Sequence, residues 1–457
     1  MKQINIKDYN HFFFIGIAGA GMSAIAQYLA GIGKNVSGSD RYFSSGENSE
    51  VRNKLEAAGI HTFPQDGSGL SKQVDAVVVS TAVEESNREY AKALNFNIPL
   101  IHRADMLAAI SDTKKTIALA GTSGKSTTVA MLYQIMEYAG YSPSLISGAG
   151  LSSLIKKGKI GNAVAGKGDY LIIEADESDG SLTQYYPDTG VILNIDKDHK
   201  EISVLKDIFK EFKKHTKNLF VVNQSHALAK EFSKSKKNDF GYVDCGYRMS
   251  DFRQEGYKIT FKINDVAFEI PVIGKHNMEN AAAAIAVAHQ KGIDLETCAK
   301  ALCAYQGIYR RMQVIGSKKG FTLIDDYAHN PVKIAAAIKA AQNISNRVIA
   351  WFQPHGFGPT RFLKDDFIRE ISAVLRANDE IWMSEIYYAG GTVKKDISAN
   401  DLIKAIRAKG KNAFFVENRK DFPGKIKKKP NKETIILLMG ARDPSLEQFS
   451  AYVFDNI

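Results

Sequence analysis

Eight consecutive residues, Gly121-Thr122-Ser123-Gly124-Lys125-Ser126-Thr127-Thr128, combine what phosphate chemistry needs. Glycines let backbone N–H groups approach phosphate oxygens, a lysine reaches the terminal phosphates, and the following hydroxyl can ligate Mg²⁺. The segment follows the apolar run KKTIALA and precedes VAMLYQIMEYAG, so the turn falls between a strand and a helix, where phosphate loops sit. The strict pattern G-x-x-x-x-G-K-[ST] would put a glycine at position 119, which is Leu119. The match is therefore not the strict form, and a chance glycine turn is the competing reading. As a loop lysine, Lys125 is expected to be exposed and to add charge rather than stability.

Two acidic clusters lie downstream: Glu174-Ala175-Asp176-Glu177-Ser178-Asp179 after LII, and Asn194-Ile195-Asp196-Lys197-Asp198-His199 after GVIL. Oxygen ligands plus one imidazole at strand ends can hold Mg²⁺ against phosphates. A solvated loop charge or helix cap is the plainer reading for any one of these carboxylates. An earlier glycine turn, Gly16-Ile17-Ala18-Gly19-Ala20-Gly21-Met22-Ser23, departs from G-x-G-x-x-G at Ala18. Asp40 follows it at the end of a second strand, a usual place for a ribose or base contact. A dinucleotide oxidoreductase would fit that turn alone, but hydride transfer has no use for the loop at Lys125.

The elements that position these residues read as an α/β chain. HFFFIGIAG, AGMSAIAQYLAGIG and NVSGSD form a βαβ opening, continued by DAVVVS and IPLIH to about residue 110. The loop at Lys125 starts a second unit, with DYLIIEAD and GVILNID as buried strands. Within YKITFKINDVAFEIPV, Asn264 and Asp265 fit a hairpin turn, and HNMENAAAAIAVAHQKGI reads as a helix ending near Gly292. A third α/β unit runs through FTLIDDYAHNP, RVIAWFQPH, DEIWMSEIYYAGG, NAFFVEN and ETIILLMG. The expected organisation is three domains: a Rossmann-like one over 1–110, a central mixed sheet of P-loop ATPase type over 111–313, and a Rossmann-like one over 314–457.

The 457 residues, 44% hydrophobic and 24% charged, are globular values with apolar material for several cores. Cys245, Cys298 and Cys303 lack paired spacing and read as reduced thiols, which favours the cytoplasm. No run approaches the roughly 18 apolar residues of a membrane helix, so no membrane insertion is expected. A net charge of +10 allows nucleic acid, an anionic surface or small polyanionic substrates. The densest basic run, Lys425 to Lys432, has no interleaved aromatics and reads as a solvated loop, so no nucleic-acid partner is expected.

Taken together, these segments resemble the Mur ligases, and most closely the alanine-adding branch. The resemblance rests on GIAGAGMSAIA, GSD, VVVSTAV, IHRADMLA, GTSGKST, EADESDGS, NIDKDH, GKHNMENAAAA, Arg310-Arg311, DDYAHNP, FQPH with Thr360-Arg361, and MSEIYYAGG, over nearly the whole chain. It implies ATP-dependent formation of an amide between the lactyl carboxylate of UDP-N-acetylmuramate and an amino acid, through an acyl phosphate, in peptidoglycan precursor synthesis. A murein-recycling ligase that adds a whole peptide is the nearest variant.

On the matching positions, the resemblance implies Gly19, Gly21, Met22 and Ser23 near the UDP diphosphate, with Asp40 close by. It implies ATP held by Gly121, Thr122, Ser123, Gly124, Lys125, Ser126 and Thr127, with His276, Asn277 and Asn280 on the adenine side and Arg311 and Asp326 completing the site. Mg²⁺ would take Ser126, Glu174 and His199, and Lys125, His199 and Arg311 would be catalytic. His355 and Arg361 would meet the amino acid, whose carboxylate needs a cationic partner. A surface pairing of Arg361 with Asp365 or Asp366 is the plainer alternative. The branch usually carries arginines where Gly356 and Pro359 stand, a histidine at Ser123, a threonine at Ser126 and a histidine at Asn330. A monomer or weak dimer is expected.

Overall fold

The computed structural model describes residues 4–43, 49–177, 181–196, 201–388, 394–426, 434–443 and 445–457. The chain forms two compact units, Met1–Tyr309 and Arg310–Ile457. Among the described residues no helix is long and apolar enough to cross a membrane.

Aromatic and β-branched runs make the first sheet of unit one: β1 (His11–Ile15), β2 (Asn35–Asp40), β3 (His61–Pro64), β4 (Ala76–Val79) and β5 (Leu100–His102). They are all parallel in the order β3-β2-β1-β4-β5. Phe12, Phe13 and Phe14 are wholly buried, as expected of strands covered on both faces. Helix Ala20–Gly31 leaves the end of β1, so the first glycine turn sits at the C-terminal edge of the sheet beside the change in strand order.

The second sheet holds β6 (Lys115–Ala120), β7 (Ser144–Ile146), β8 (Ala163–Val164), β9 (Tyr170–Ala175), β10 (Thr189–Ile192) and β11 (Leu219–Val222). Its order is β11-β10-β6-β9-β7-β8, parallel except for the β7–β8 pair, which makes it the mixed sheet expected. The phosphate-loop strand β6 is central, between β10 and β9, so both acidic clusters start from strands flanking it. Phe12, Ile25 and Leu29 share one continuous apolar cluster with Ala118, Ile173, Ile192 and Phe212, so the cores of the two sheets merge. Polar bonds reinforce that seam: the Asn162 amide donates to Ala20 O (2.8 Å) and Ser23 Oγ (3.0 Å), and Gln27 Nε2 donates to Asn162 Oδ1 (2.8 Å).

A small sheet, β12 (Phe240–Gly241), β13 (Tyr247–Glu255), β14 (Lys258–Ile263) and β15 (Val266–Ile270), completes unit one. Asn264 and Asp265 take φ of 47° and 70°, the double left-handed turn that matches strand twist in a two-residue hairpin. Helix His276–Gln290 follows, and its alanine run is buried on every side in the core it shares with helix Lys125–Tyr138. Gly292, at φ 94°, closes it as expected.

Unit two is one sheet: β16 (Gln313–Lys318), β17 (Phe321–Asp326), β18 (Arg347–Gln353), β19 (Glu380–Met383), β20 (Ala413–Phe415) and β21 (Thr434–Gly440). The order is β16-β17-β21-β18-β19-β20, with only β16 antiparallel to its neighbour. Asp326, Gln353 and Gly440 therefore end three adjacent parallel strands on one edge.

Candidate active site

Leu119 is a buried strand residue of β6, and Gly121 makes the turn in its place at φ 140°, where a Cβ would press on the Asn194 backbone. The loop is stapled to the end of β10. Ser123 N–H donates to Asn194 Oδ1 (2.8 Å), Asn194 Nδ2 donates back to Ser123 O (2.9 Å), and Asp196 N–H donates to Thr122 Oγ1 (2.9 Å). Asn194 and Asp196, read from sequence as metal-site candidates, serve here as anchors of the loop. Gly124 caps helix Lys125–Tyr138 at φ 87° with no side-chain cap, so the first-turn N–H groups and the positive end of the helix dipole face the loop mouth.

Ser126 and Glu174 come together as expected, with Ser126 Oγ donating to Glu174 Oε2 (2.9 Å). Glu174 is aimed by two further donors, Ser147 Oγ (2.5 Å) and Gly148 N–H (2.8 Å). Among the described residues no three His, Cys, Asp or Glu side chains cluster as a metal set. His199, with Ser178, Asp179, Lys197 and Asp198, lies outside the described residues.

Lys125 corrects the expectation of an exposed lysine, for its side chain is only 12% accessible. Its ammonium donates to Gly121 O (2.7 Å) and Glu177 Oε2 (2.9 Å), with Asp176 Oδ1 at 3.7 Å. Burial follows because β9 and β6 are neighbours, so the residues just past their ends face each other.

A cleft of about 150 Å³ opens beside the loop, lined by Ser123 and Gly124 at one end and by Asn223, Phe240 and Glu279 elsewhere. His276 and Asn280 line it too, while Asn277 supports it from behind. Asn277 Nδ2 donates to Ile273 O (2.8 Å), and Asn280 Nδ2 donates to Asn277 Oδ1 (3.0 Å). A Cβ on Gly124 would overlap the Asn280 carboxamide oxygen, so glycine is needed there for shape as well as for φ. Thr127 continues the loop into the helix and is half-buried.

At the first glycine turn, Asp40 is buried and accepts from Ala18 N–H (3.0 Å) and Tyr42 N–H (3.1 Å). Burial raises its pKa and the two N–H donors oppose that rise. Asp40 therefore shapes the turn directly. Gly19 caps helix Ala20–Gly31 without a side-chain bond, leaving donors open at that end. Gly21 lies under Arg103, whose guanidinium a Cβ there would touch at 3.3 Å. Arg103 is thus a cation at this helix start that motif reading did not assign. Met22 is buried, and the Ser23 hydroxyl is committed to Ala20 O (3.1 Å) and to the Asn162 amide.

In unit two, Asp326 is buried and accepts from Met312 N–H (2.7 Å) and Ala328 N–H (2.8 Å). Burial raises its pKa against those bonds. Arg311 is exposed, its guanidinium 5.8 Å from the Tyr327 ring, while Arg310 turns inward to Asp325 (3.0 Å) and Gly440 O (2.9 Å). His355 lies 5.7 Å from His329, and its buried Nδ1 has no partner among the described residues. Burial, with the charges of His329 and Arg442, holds its pKa down at about 4. Arg361 is paired with Asp396 and donates to Lys394 O (2.9 Å), so its surface partner is neither Asp365 nor Asp366.

Three family models match the chain in sequence: "Mur ligase family, catalytic domain" over 11–115, "Mur ligase middle domain" over 119–288, and "Mur ligase, glutamate ligase domain" over 310–442. The chain is 34% identical to UDP-N-acetylmuramate–L-alanine ligase of Carboxydothermus hydrogenoformans, covering 94% of this chain and 93% of that protein. It is 35% identical to the enzyme of the same name from Dictyoglomus turgidum, again over 94% and 93%. The chain belongs to the Mur ligase family. Its fold is shared with solved relatives. The UDP-N-acetylmuramate-alanine ligase of Thermotoga maritima superposes with a TM-score of 0.81 at 24% identity, over 97% of this Mur ligase and 98% of that one. A murein peptide ligase of Psychrobacter arcticus gives 0.68 at 20% identity, over 98% of both chains.

Proposed function

We propose that this Mur ligase joins L-alanine to the lactyl carboxylate of UDP-N-acetylmuramate, with ATP cleaved to ADP and phosphate, in cytoplasmic synthesis of peptidoglycan precursor. The observation that carries the ATP half is the largely covered Lys125 ammonium at the mouth of a glycine loop whose helix N–H groups are open, with Ser126 and Glu174 beside it. The relatives named above, which match along nearly their full length, support the two other substrates.

A carboxylate resists attack by an amine because its oxygen is a poor leaving group. One carboxylate oxygen attacks the γ-phosphorus of ATP, the bond to ADP breaks, and an acyl phosphate forms through an anionic transition state. Lys125 and the first-turn N–H groups stabilise that charge. The neutral amino group then attacks the acyl carbon, a tetrahedral oxyanion forms, the nitrogen releases one proton to solvent, and phosphate leaves with the activated oxygen. The hydroxyl and carboxylate of Ser126 and Glu174 are hard oxygen donors already brought together, which suits Mg²⁺, and His199 would complete the set. The bound ion would offset phosphate charge. Gly19, Gly21, Met22 and Asp40, with Arg103, are the proposed surroundings of the UDP diphosphate, and Ser23 braces them from behind.

His276, Asn277 and Asn280 are assigned to the adenosine side, and Arg311 and Asp326 to the nucleotide. His355 and Arg361 are assigned to the amino acid, for which Arg361 exchanges Asp396 for the acceptor carboxylate. Residues 1–110, 111–313 and 314–457 would then serve UDP-sugar, ATP and amino acid respectively. The test is phosphate release with ATP and UDP-N-acetylmuramate against single amino acids and L-alanyl peptides. L-alanine should give the highest kcat/KM; turnover confined to peptides would instead make the chain a recycling ligase.

A further inference from the structure

The cleft beside the phosphate loop carries one carboxylate, Glu279, that neither the metal site nor the loop employs. It stands in the first turn of helix His276–Gln290 and is held by two donors. Asn223 Nδ2 donates to Glu279 Oε2 (3.0 Å), and Tyr242 Oη donates to Oε1 (3.3 Å). The orientation of both donors is determined. Asn223 Oδ1 is occupied by Ser225 N–H (2.9 Å), which turns its amide hydrogens toward Glu279. Burial and the Glu279 charge push the Tyr242 pKa well up, so the phenol keeps its proton and donates. Each carboxylate oxygen has two acceptor directions and one named donor, which leaves Glu279 able to accept again. Leu193 and Phe240, both buried, give the same cleft apolar walls of the kind a flat heterocycle needs.

We propose that Glu279 selects the nucleobase of the triphosphate, accepting a hydrogen bond from the exocyclic 6-amine of adenine, with Asn223 and Tyr242 as the residues that position it. The proposal rests on the ATP reading above: phosphates at Gly121–Ser126 leave the base to the cleft that begins at Ser123 and Gly124. An acceptor fixed by two donors cannot turn into a donor. A purine with a carbonyl at position 6 therefore sets oxygen against oxygen, and one with hydrogen there leaves the half-buried carboxylate a bond short.

The test is a cycle between a substrate group and a side chain. Initial rates of phosphate release at saturating UDP-N-acetylmuramate and L-alanine give kcat/KM for ATP, purine riboside triphosphate and ITP, with native enzyme, Glu279→Gln and Glu279→Ala. Native enzyme should favour ATP over purine riboside triphosphate at least tenfold, and Glu279→Ala should bring the two within threefold. Glu279→Gln, nearly isosteric and able to present an amide N–H to a carbonyl, should cut the ITP disadvantage at least tenfold. A merely structural Glu279 would lower all three substrates in parallel, and unchanged ratios in both variants would overturn the proposal. No turnover of native enzyme with any triphosphate would fail the ligase reading itself, whereas turnover with unchanged ratios fails only the base assignment.

Discussion

Replacing Lys125 with methionine should damage stability as well as catalysis, because the lysine is part of a nearly buried ion pair. Its side chain is 12% accessible and that of Glu177 is 9%, at a separation of 2.9 Å. Removing one member of a buried pair costs about 3–5 kcal/mol, because the other charge stays in a poorly solvated place. The residual exposure, which lets water reach both groups, lowers the expected value to about 2–3 kcal/mol. In a unit of this size that corresponds to a melting midpoint lowered by about 3–6 °C. Phosphate release should fall at least a hundredfold, the scale of one lost charge-stabilising donor. Glu177→Gln added to Lys125→Met should return most of the lost midpoint while leaving turnover as low as in Lys125→Met, since it removes the charge that the lysine offset but not the need for a cation at the phosphates. Calorimetry of the two single variants and the double, with phosphate release on the same samples, completes the cycle. A Lys125→Met protein that melts with the native enzyme, or a double variant no more stable than Lys125→Met, would refute the reasoning.

Gly124→Ala forces a Cβ into left-handed backbone and against Asn280, and should cost about 2–4 kcal/mol with a loss of ATP affinity; a variant with native melting and native KM for ATP would remove the claim that glycine is needed there. Glu174→Gln should raise the Mg²⁺ concentration for half-maximal rate at least tenfold, read from a metal titration at fixed ATP, and an unchanged titration would count against Glu174 as a ligand. Acid should weaken unit two through His355. Its imidazole stays neutral in the folded chain down to about pH 4, whereas in the unfolded chain it takes a proton below about 6.5. The unfolded state then binds more protons, so stability falls as pH drops from 6.5 to 4. His355→Gln should flatten the pH dependence of the denaturation midpoint in that window, and an identical slope would contradict the assignment.

Much of this arrangement was legible because it is written in short segments. The two glycine turns, the strands before them and the Asn264-Asp265 hairpin depend on local backbone rules, and all formed where their residues indicated. Strands such as β13 and β16 escaped because their faces are partly solvated, so alternation is diluted by charged residues, and Asp251 interrupts β13 at φ 54°. The site residues missed, Ser147, Asn223, Glu279 and Arg103, carry no spacing signal relative to the loop, and Glu177, read as part of an acidic metal cluster, pairs instead with Lys125. Each reaches its position through strand order or helix packing, as when the β6–β9 pairing brings Glu177 to Lys125. Asp40 and Asn194 have a structural role that the sequence did not signal, because a polar side chain at a strand end can hold its own backbone turn as well as face a ligand.

The central claim is that a carboxylate oxygen of the UDP-sugar is phosphorylated by ATP and then leaves with phosphate when L-alanine attacks. Single-turnover reaction with UDP-N-acetylmuramate carrying ¹⁸O in its lactyl carboxylate, followed by mass analysis of the released phosphate, tests it directly. The mechanism predicts one labelled oxygen transferred per phosphate, dependent on both L-alanine and ATP and released at least a hundredfold more slowly by Lys125→Met. Unlabelled phosphate alongside normal formation of the alanyl product would contradict it.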